Sequence, residues 1–156
     1  MSQRNRDNAP VTDQAWSKVA EKVMVFDGGT TDNPGDQDGT GNPATLFTVT
    51  GAVKVKLFAV SQVLPVGATS TVEAGIAGNT AALLPQLVST TMAVGEIWHD
   101  ATSDATIELA SVLTDKLILN GQDIIQTVGT ANITAGQLKY FCIWYPLSED
   151  GDIVAA

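Results

Sequence analysis

Apolar and polar positions alternate along much of the chain from about residue 46 onward. Between residues 53 and 60 the apolar side chains recur at every second position, as Val53, Val55, Leu57 and Ala59. Because successive side chains of a β-strand point to opposite faces, this spacing predicts a strand with one buried face and with Lys54 and Lys56 on the other. Residues 71–76 repeat the pattern, and we expect Val72, Ala74 and Ile76 to point inward.

Glycine, proline, asparagine and aspartate interrupt these runs and predict where strands end. The composition of residues 28–43 fits no repeating structure, so we predict a long loop after a first strand at residues 23–26. Pro85 makes residues 83–92 either an edge strand or a connection. Residues 106–109 are expected to form another half-buried strand. Asn120-Gly121 lies between two β-rich runs and predicts a tight hairpin.

The predicted fold class is all-β. Residues 138–145 are apolar on both faces, which is typical of a central strand or of one covered by a neighbouring subunit. About eight to ten short strands with regular turn signals indicate an antiparallel β-sandwich, jelly-roll-like, over residues 19–156. Residues 1–18 are predicted to form an extended N-terminal arm. A short helix from Asp13 is the alternative at its end, because apolar residues 16, 19, 20 and 23 recur at helical spacing.

The chain is acidic, with a formal net charge of −9, and only 16% of its 156 residues are charged. An acidic surface repels phosphate backbones, so we expect no nucleic-acid partner. No apolar stretch approaches the ~20 residues of a membrane-spanning helix, so no membrane partner is expected. Residues 1–7 lack the apolar region of a secretory signal, which predicts synthesis in a cytoplasm. Cys142 is expected to be a small buried apolar residue.

Two clusters of side chains could carry chemistry. The loop residues Asp27, Asp32, Asp36 and Asp38 offer oxygen ligands for calcium, but their spacing does not match an EF-hand, and a plain solvated loop is favoured. His99 lies among acidic residues but has no second histidine with which to build a zinc site, so a structural or interface histidine is favoured over a base or metal ligand. We therefore expect no catalytic residues, no metal and no cofactor, hence no enzyme.

Aromatic residues are the candidates for protein contacts. Packing in the core or at a subunit interface is favoured over stacking on sugars or nucleobases. We assign three of these residues to a subunit interface, namely Trp98, Tyr140 and Trp144.

Four segments resemble small virion structural proteins of tailed bacteriophages. They are residues 26–30 (Phe26-Asp27-Gly28-Gly29-Thr30), residues 35–51, residues 96–102 (Glu96-Ile97-Trp98-His99-Asp100-Ala101-Thr102) and residues 121–125 (Gly121-Gln122-Asp123-Ile124-Ile125). The similarity spans roughly residues 23–147. Within that group the chain is most similar to head decoration, or cement, proteins, which are small, β-rich and oligomeric.

The resemblance implies a non-enzymatic virion structural protein, made in the bacterial host cytoplasm, that binds the outer surface of a phage head. It would stabilise the capsid by clamping neighbouring coat subunits. Its partners would be the major capsid protein and copies of itself, as a homotrimer or a dimer. The arm would contact the capsid through Arg4, Arg6, Pro10 and Trp16. A tail or head-fibre component, or a carbohydrate-binding β-sandwich module, is the alternative.

Overall fold

The computed structural model describes residues 17–27, 34–104 and 107–156. Within these ranges the regular structure is almost entirely β, with single-turn 3-10 helices at Ser89–Thr91 and Ala110–Val112. The strands are β1 (Lys18–Val25), β2 (Ala44–Thr50), β3 (Val53–Val66), β4 (Thr71–Ile76), β5 (Asn79–Val88), β6 (Ile97–Trp98), β7 (Ser103–Asp104), β8 (Lys116–Ile118), β9 (Ile124–Gly129), β10 (Ala135–Pro146) and β11 (Asp152–Ala155).

The strands form two antiparallel sheets. Sheet A has the order β1-β10-β3-β6-β7, and β8 also pairs with β3. Sheet B has the order β11-β2-β9-β4-β5. Neighbours pair in a nested series in which β4 meets β5, β3 meets β6 and β8, β2 meets β9, and β1 meets β10. A long antiparallel ribbon folded over in this way is a jelly roll, so the predicted fold class is confirmed.

Alternation decides which side chains fill the space between the sheets. In β3 the residues Val53, Val55, Leu57 and Ala59 are buried, as the period-2 pattern predicts. On β4, Val72 and Ala74 are buried as predicted, and the partly buried Ile76 packs against the same core. Each strand therefore contributes every second side chain to one shared apolar core.

The N-terminal part of the domain differs from the prediction. Lys18–Val25 is a strand that pairs along its length with β10, so the alternative of a helix from Asp13 is wrong for these residues. Cross-strand pairing and burial of Met24 override a helical spacing that rested on a few apolar positions. Lys18 itself lies in β1, so the sandwich begins before residue 19. The rest of the predicted arm, residues 1–16, lies outside the described residues.

The predicted hairpin at Asn120-Gly121 is wrong. Gly121 does adopt the positive φ, 64°, that this pair suggested. The flanking strands do not pair, however, because β8 joins β3 in sheet A whereas β9 joins β2 and β4 in sheet B. Residues 119–123 therefore carry the chain from one sheet to the other.

Of the remaining strand predictions, two are confirmed and one is wrong. The strand with Pro85, β5, lies at the edge of sheet B, and residues 138–145 lie in β10, between β1 and β3, as a central strand. Residues 107–109 are not a strand, and Ile107 and Leu109 are 86% and 71% exposed. In the described part of the chain, no helix has the length and apolarity needed to cross a bilayer.

Candidate functional site

The outer face of sheet A is the candidate contact surface. Directly paired residues of neighbouring strands point to the same side of a sheet. The pairing of β1, β10 and β3 therefore places their outward side chains in three rows that cross the strands. The rows are Val19–Ile143–Lys56, Glu21–Phe141–Phe58 and Val23–Lys139–Val60. We call this surface, with the neighbouring Lys54 and Tyr145, the lysine–aromatic face.

Ring stacking and lysine contacts give this face a defined shape. The Phe58 and Phe141 rings stack with centroids 5.0 Å apart and an interplanar angle of 10°. The Lys139 ammonium lies 4.8 Å from the Phe141 ring centroid and 2.6 Å from a Glu21 carboxylate oxygen. Lys54 lies 4.5 Å from the Tyr145 ring centroid. The lysines thus lie over the aromatic rings rather than extending freely into solvent.

Charge is distributed unevenly between the two sheets. All six lysines of the chain lie on strands of sheet A, namely Lys18, Lys22, Lys54, Lys56, Lys116 and Lys139. Asp115 is the carboxylate nearest Lys54 and Lys56, at 3.7 and 4.0 Å. Three lysines on the lysine–aromatic face meet three carboxylates, those of Glu21, Asp115 and the adjoining Glu108, so this face is close to neutral on a chain of net charge −9.

Exposed apolar side chains follow the same division. Among the described residues, seven of the large exposed ones lie on strands of sheet A, and they are Val19, Val23, Val25, Val63, Leu64, Val66 and Leu117. Sheet B carries two, Val88 and Val154. Sheet A therefore carries more of the large exposed apolar side chains than sheet B, and a contiguous apolar patch marks a contact surface more reliably than scattered residues do.

The outer face of sheet B is polar by comparison. Thr48 and Thr50 are exposed on β2, and Thr127 lies beside Glu73 in the register of β9 and β4. The Glu73 carboxylate accepts hydrogen bonds from the Thr80 hydroxyl at 2.5 Å and the Gln86 amide at 3.4 Å. These threonine, glutamate and glutamine side chains make the outer face of sheet B more polar than that of sheet A.

An apolar cavity adjoins the lysine–aromatic face. It has a volume of about 280 Å³ and lies between sheet A and the segment that contains the second 3-10 helix. Its walls include Phe58, Ile97 and Ile143 from the sheet and Leu109 and Leu113 from the segment. The segment therefore covers one part of the outer face and leaves the part beside β1 open.

The three aromatic residues assigned to a subunit interface lie inside the chain instead. Trp98 and Tyr140 are 0% exposed and Trp144 is 3% exposed. Trp98 and Tyr140 make an edge-to-face contact with centroids 6.2 Å apart, and the Lys18 ammonium covers the Trp144 ring at 4.7 Å. Rings buried within one chain offer no area to a neighbouring subunit, so the contact surface has to be built from the outward-facing residues of the same strands.

The predicted capsid-contacting residues Arg4, Arg6, Pro10 and Trp16 lie outside the described residues. Their point of attachment is described, because the chain enters the sandwich at β1, the edge strand of sheet A. The first outward residue of that strand, Val19, is directly opposite Ile143. The described part of the chain therefore begins beside the lysine–aromatic face.

The acidic loop does not assemble a metal site among its described residues. Asp32 lies outside the described ranges, and Asp36 is buried and accepts a hydrogen bond from the Asp38 amide at 3.2 Å. Elsewhere in the described part of the chain, three side chains that could bind a metal lie close together. They are His99, Asp100 and Asp104. Sequence reasoning missed Asp104, because only the register of β6 and β7 brings it to His99.

Cys142 is not a reactive thiol. It is 0% exposed, and burial raises the pKa of the Cys142 thiol from 9.0 to about 12. At neutral pH the thiol is therefore protonated and enclosed. A nucleophilic cysteine instead has a lowered pKa and is accessible to its substrate.

Comparisons with known proteins support the fold. The structure is similar to a chain in the acidic stable capsid structure of Helicobacter pylori bacteriophage KHP30, with a TM-score of 0.53 and 15% sequence identity. The match covers 88% of this chain and 92% of that chain. No protein-family model and no curated protein matches the sequence. At this identity the likeness is one of fold.

Proposed function

We propose that this chain is a non-enzymatic virion structural protein that binds the outer surface of a phage head and clamps neighbouring coat subunits. The observation that carries the proposal is the lysine–aromatic face, a partly apolar and nearly neutral surface on one side of an acidic jelly roll. The fold likeness to a chain of a phage capsid structure supports the same assignment.

The composition of this face suits a protein partner of a particular kind. Apolar area flanked by lysines complements a surface with apolar residues and carboxylates, and such pairing orients the partner as it binds. Specific contacts commonly bury about 1,200–2,000 Å² in total. Repetition of one contact over a capsid lattice would multiply a modest affinity through avidity. The arm would extend the same contact, because it joins the sandwich next to this face.

The first test locates the protein on the particle. Purified chain is added to tailed particles that lack it, and the complex is imaged by cryo-electron microscopy. Density on the outside of the head across coat-subunit boundaries is the expected result. Density on the tail would contradict the proposal and favour the fibre alternative, and binding only to a glycan array would favour a carbohydrate-binding module.

The second test uses matched substitutions on the two faces. Val19→Glu places a carboxylate on the lysine–aromatic face, and Val154→Glu makes the same change on the outer face of sheet B. The two valines are similarly exposed, at 58% and 53%. We expect Val19→Glu to weaken capsid binding at least about tenfold, or about 1.4 kcal/mol, and Val154→Glu to leave it unchanged. Equal effects of the two substitutions, at unchanged melting temperature, would exclude this face as the contact.

Deletion of residues 1–16 tests the arm separately. Because β1 begins at Lys18, the sandwich should keep its melting temperature. We expect weaker binding to heads. Full occupancy by the truncated protein would show that the arm does not contribute.

A further inference from the structure

The β6–β7 hairpin carries three metal-ligating side chains at the edge of sheet A. Pairing of Ile97 with Asp104 and of Trp98 with Ser103 folds the chain back on itself, so that Asp104 returns to His99. The His99 Nε2 atom lies 2.8 Å from Asp104 Oδ2, and His99 Nδ1 lies 4.0 Å from Asp100 Oδ2. One ligand atom from each of the three residues lies within 4.8 Å of the others.

The contact between His99 and Asp104 is not a hydrogen bond in this geometry. The His99 side chain is only 8% exposed, and both Nε2 and Asp104 Oδ2 are buried without a hydrogen-bond partner. Two ligand atoms bound to one tetrahedral zinc ion at about 2.0–2.2 Å are roughly 3.4 Å apart, so the 2.8 Å between Nε2 and Oδ2 would have to widen by only about 0.6 Å to admit a shared ion.

Asp100 is held so that one carboxylate oxygen remains available. Its Oδ1 atom accepts hydrogen bonds from the Thr102 amide at 2.8 Å and the Thr102 hydroxyl at 2.9 Å. These bonds orient the carboxylate, as partners of a metal ligand commonly do. The other oxygen, Oδ2, lies 4.0 Å from His99 Nδ1, so the exposed Asp100 side chain would have to turn toward Nε2 to share an ion with Asp104.

A route from solvent reaches the cluster. A cavity of about 380 Å³ is lined by His99 and Asp100 together with Leu83, Val112 and Lys116. The Lys116 side chain is the cation on this wall, and the Asp100 carboxylate on the same wall offsets its charge. A buried imidazole, two carboxylates and an entry path are the elements that a metal site in a protein requires.

We propose that His99, Asp100 and Asp104 bind a divalent transition-metal ion, with zinc as the best match. An imidazole nitrogen combined with carboxylate oxygens suits zinc, whereas calcium and magnesium prefer oxygen ligands alone. Three protein ligands leave a position for water. The ion would fasten the β6–β7 hairpin, which has two paired residues in each strand, and this role is independent of capsid binding.

The chain offers an unambiguous spectroscopic probe, because His99 is its one histidine. Untagged protein is titrated with zinc chloride while the imidazole signals are followed by NMR and the melting temperature is recorded. We expect the His99 signals to change with a stoichiometry of one ion per chain and the melting temperature to rise. Unchanged imidazole signals in excess zinc would overturn the proposal and leave a simple histidine–aspartate ion pair.

Variants separate specific binding from adventitious binding. Asp104→Asn and His99→Gln should abolish the zinc effect, and the exposed Asp100→Asn should weaken affinity at least about tenfold without unfolding the protein. Glu149→Gln removes an exposed carboxylate outside the cluster and should bind zinc like the unmodified chain. Zinc binding that is equal in Asp100→Asn, Asp104→Asn and the unmodified protein would refute the assignment, even if His99→Gln fails to fold.

Discussion

The Tyr140→Phe substitution would remove a buried hydrogen bond between the two sheets. The Tyr140 hydroxyl on β10 donates a hydrogen bond of 2.6 Å to Gln126 Oε1 on β9. Tyr140 and Gln126 are 0% and 1% exposed. Water therefore cannot replace the lost donor, and the Gln126 oxygen is left unsatisfied at a cost of about 1–3 kcal/mol. For a chain of this size each kcal/mol corresponds to about 2–4 °C in melting temperature.

A double-mutant cycle distinguishes this bond from a general packing defect. Urea denaturation gives the free energy of unfolding of Tyr140→Phe, Gln126→Leu and the double variant. Each single change leaves one buried polar group without its partner, whereas the double change removes both groups. We expect the double variant to be more stable than the sum of the single effects predicts, by about 1 kcal/mol or more. Additive effects, or a loss below about 0.5 kcal/mol for Tyr140→Phe, would refute the argument.

Three further predictions concern Gly121 and Cys142. Gly121→Val should lower stability by about 1–2 kcal/mol, because φ at this residue is 64° and a β-branched side chain is strained there. Asn120→Val is the control. Equal melting temperatures of the two variants would contradict the reasoning. Cys142 should resist a thiol reagent at pH 8 until urea unfolds the chain, and rapid labelling of the folded protein would contradict its burial. Because its folded pKa of about 12 exceeds the unfolded value of 9.0, stability should fall as pH rises from 9 toward 12, and Cys142→Ala should reduce that fall.

Sequence reasoning was accurate where one strand decides the outcome. The faces of β3 and the edge position of the strand with Pro85 follow from side-chain alternation and from the missing proline amide hydrogen. The positive φ of Gly121 also follows from local chemistry. These properties depend on a few neighbouring residues, so they can be predicted from the sequence without knowing which strands pair.

The same reasoning failed where distant strands choose their partners. Asn120-Gly121 has the local signature of a hairpin, yet burial of Ile118 on sheet A and Ile124 on sheet B sends the flanking strands to different layers. The local preference of Asn-Gly for a tight turn contributes little free energy compared with the burial of apolar side chains in both sheets.

The apolar character of residues 138–145 also did not show which of their large side chains are buried and which face outward. In β10 the alternate residues Tyr140 and Trp144 face the core, whereas Phe141 and Tyr145 face outward. Both sets are apolar or aromatic, so the sequence identified a strand with two apolar faces but not which face remains available for contact.

The sequence by itself therefore determined the all-β class, the alternation of the long strands and the acidic charge, because these depend on residue type and short-range periodicity. Only the tertiary structure decided the pairing order of the strands, the placement of every lysine on sheet A and the meeting of His99 with Asp104. These features depend on register between segments that are distant in the chain, and register is set by how the two sheets together bury their apolar faces.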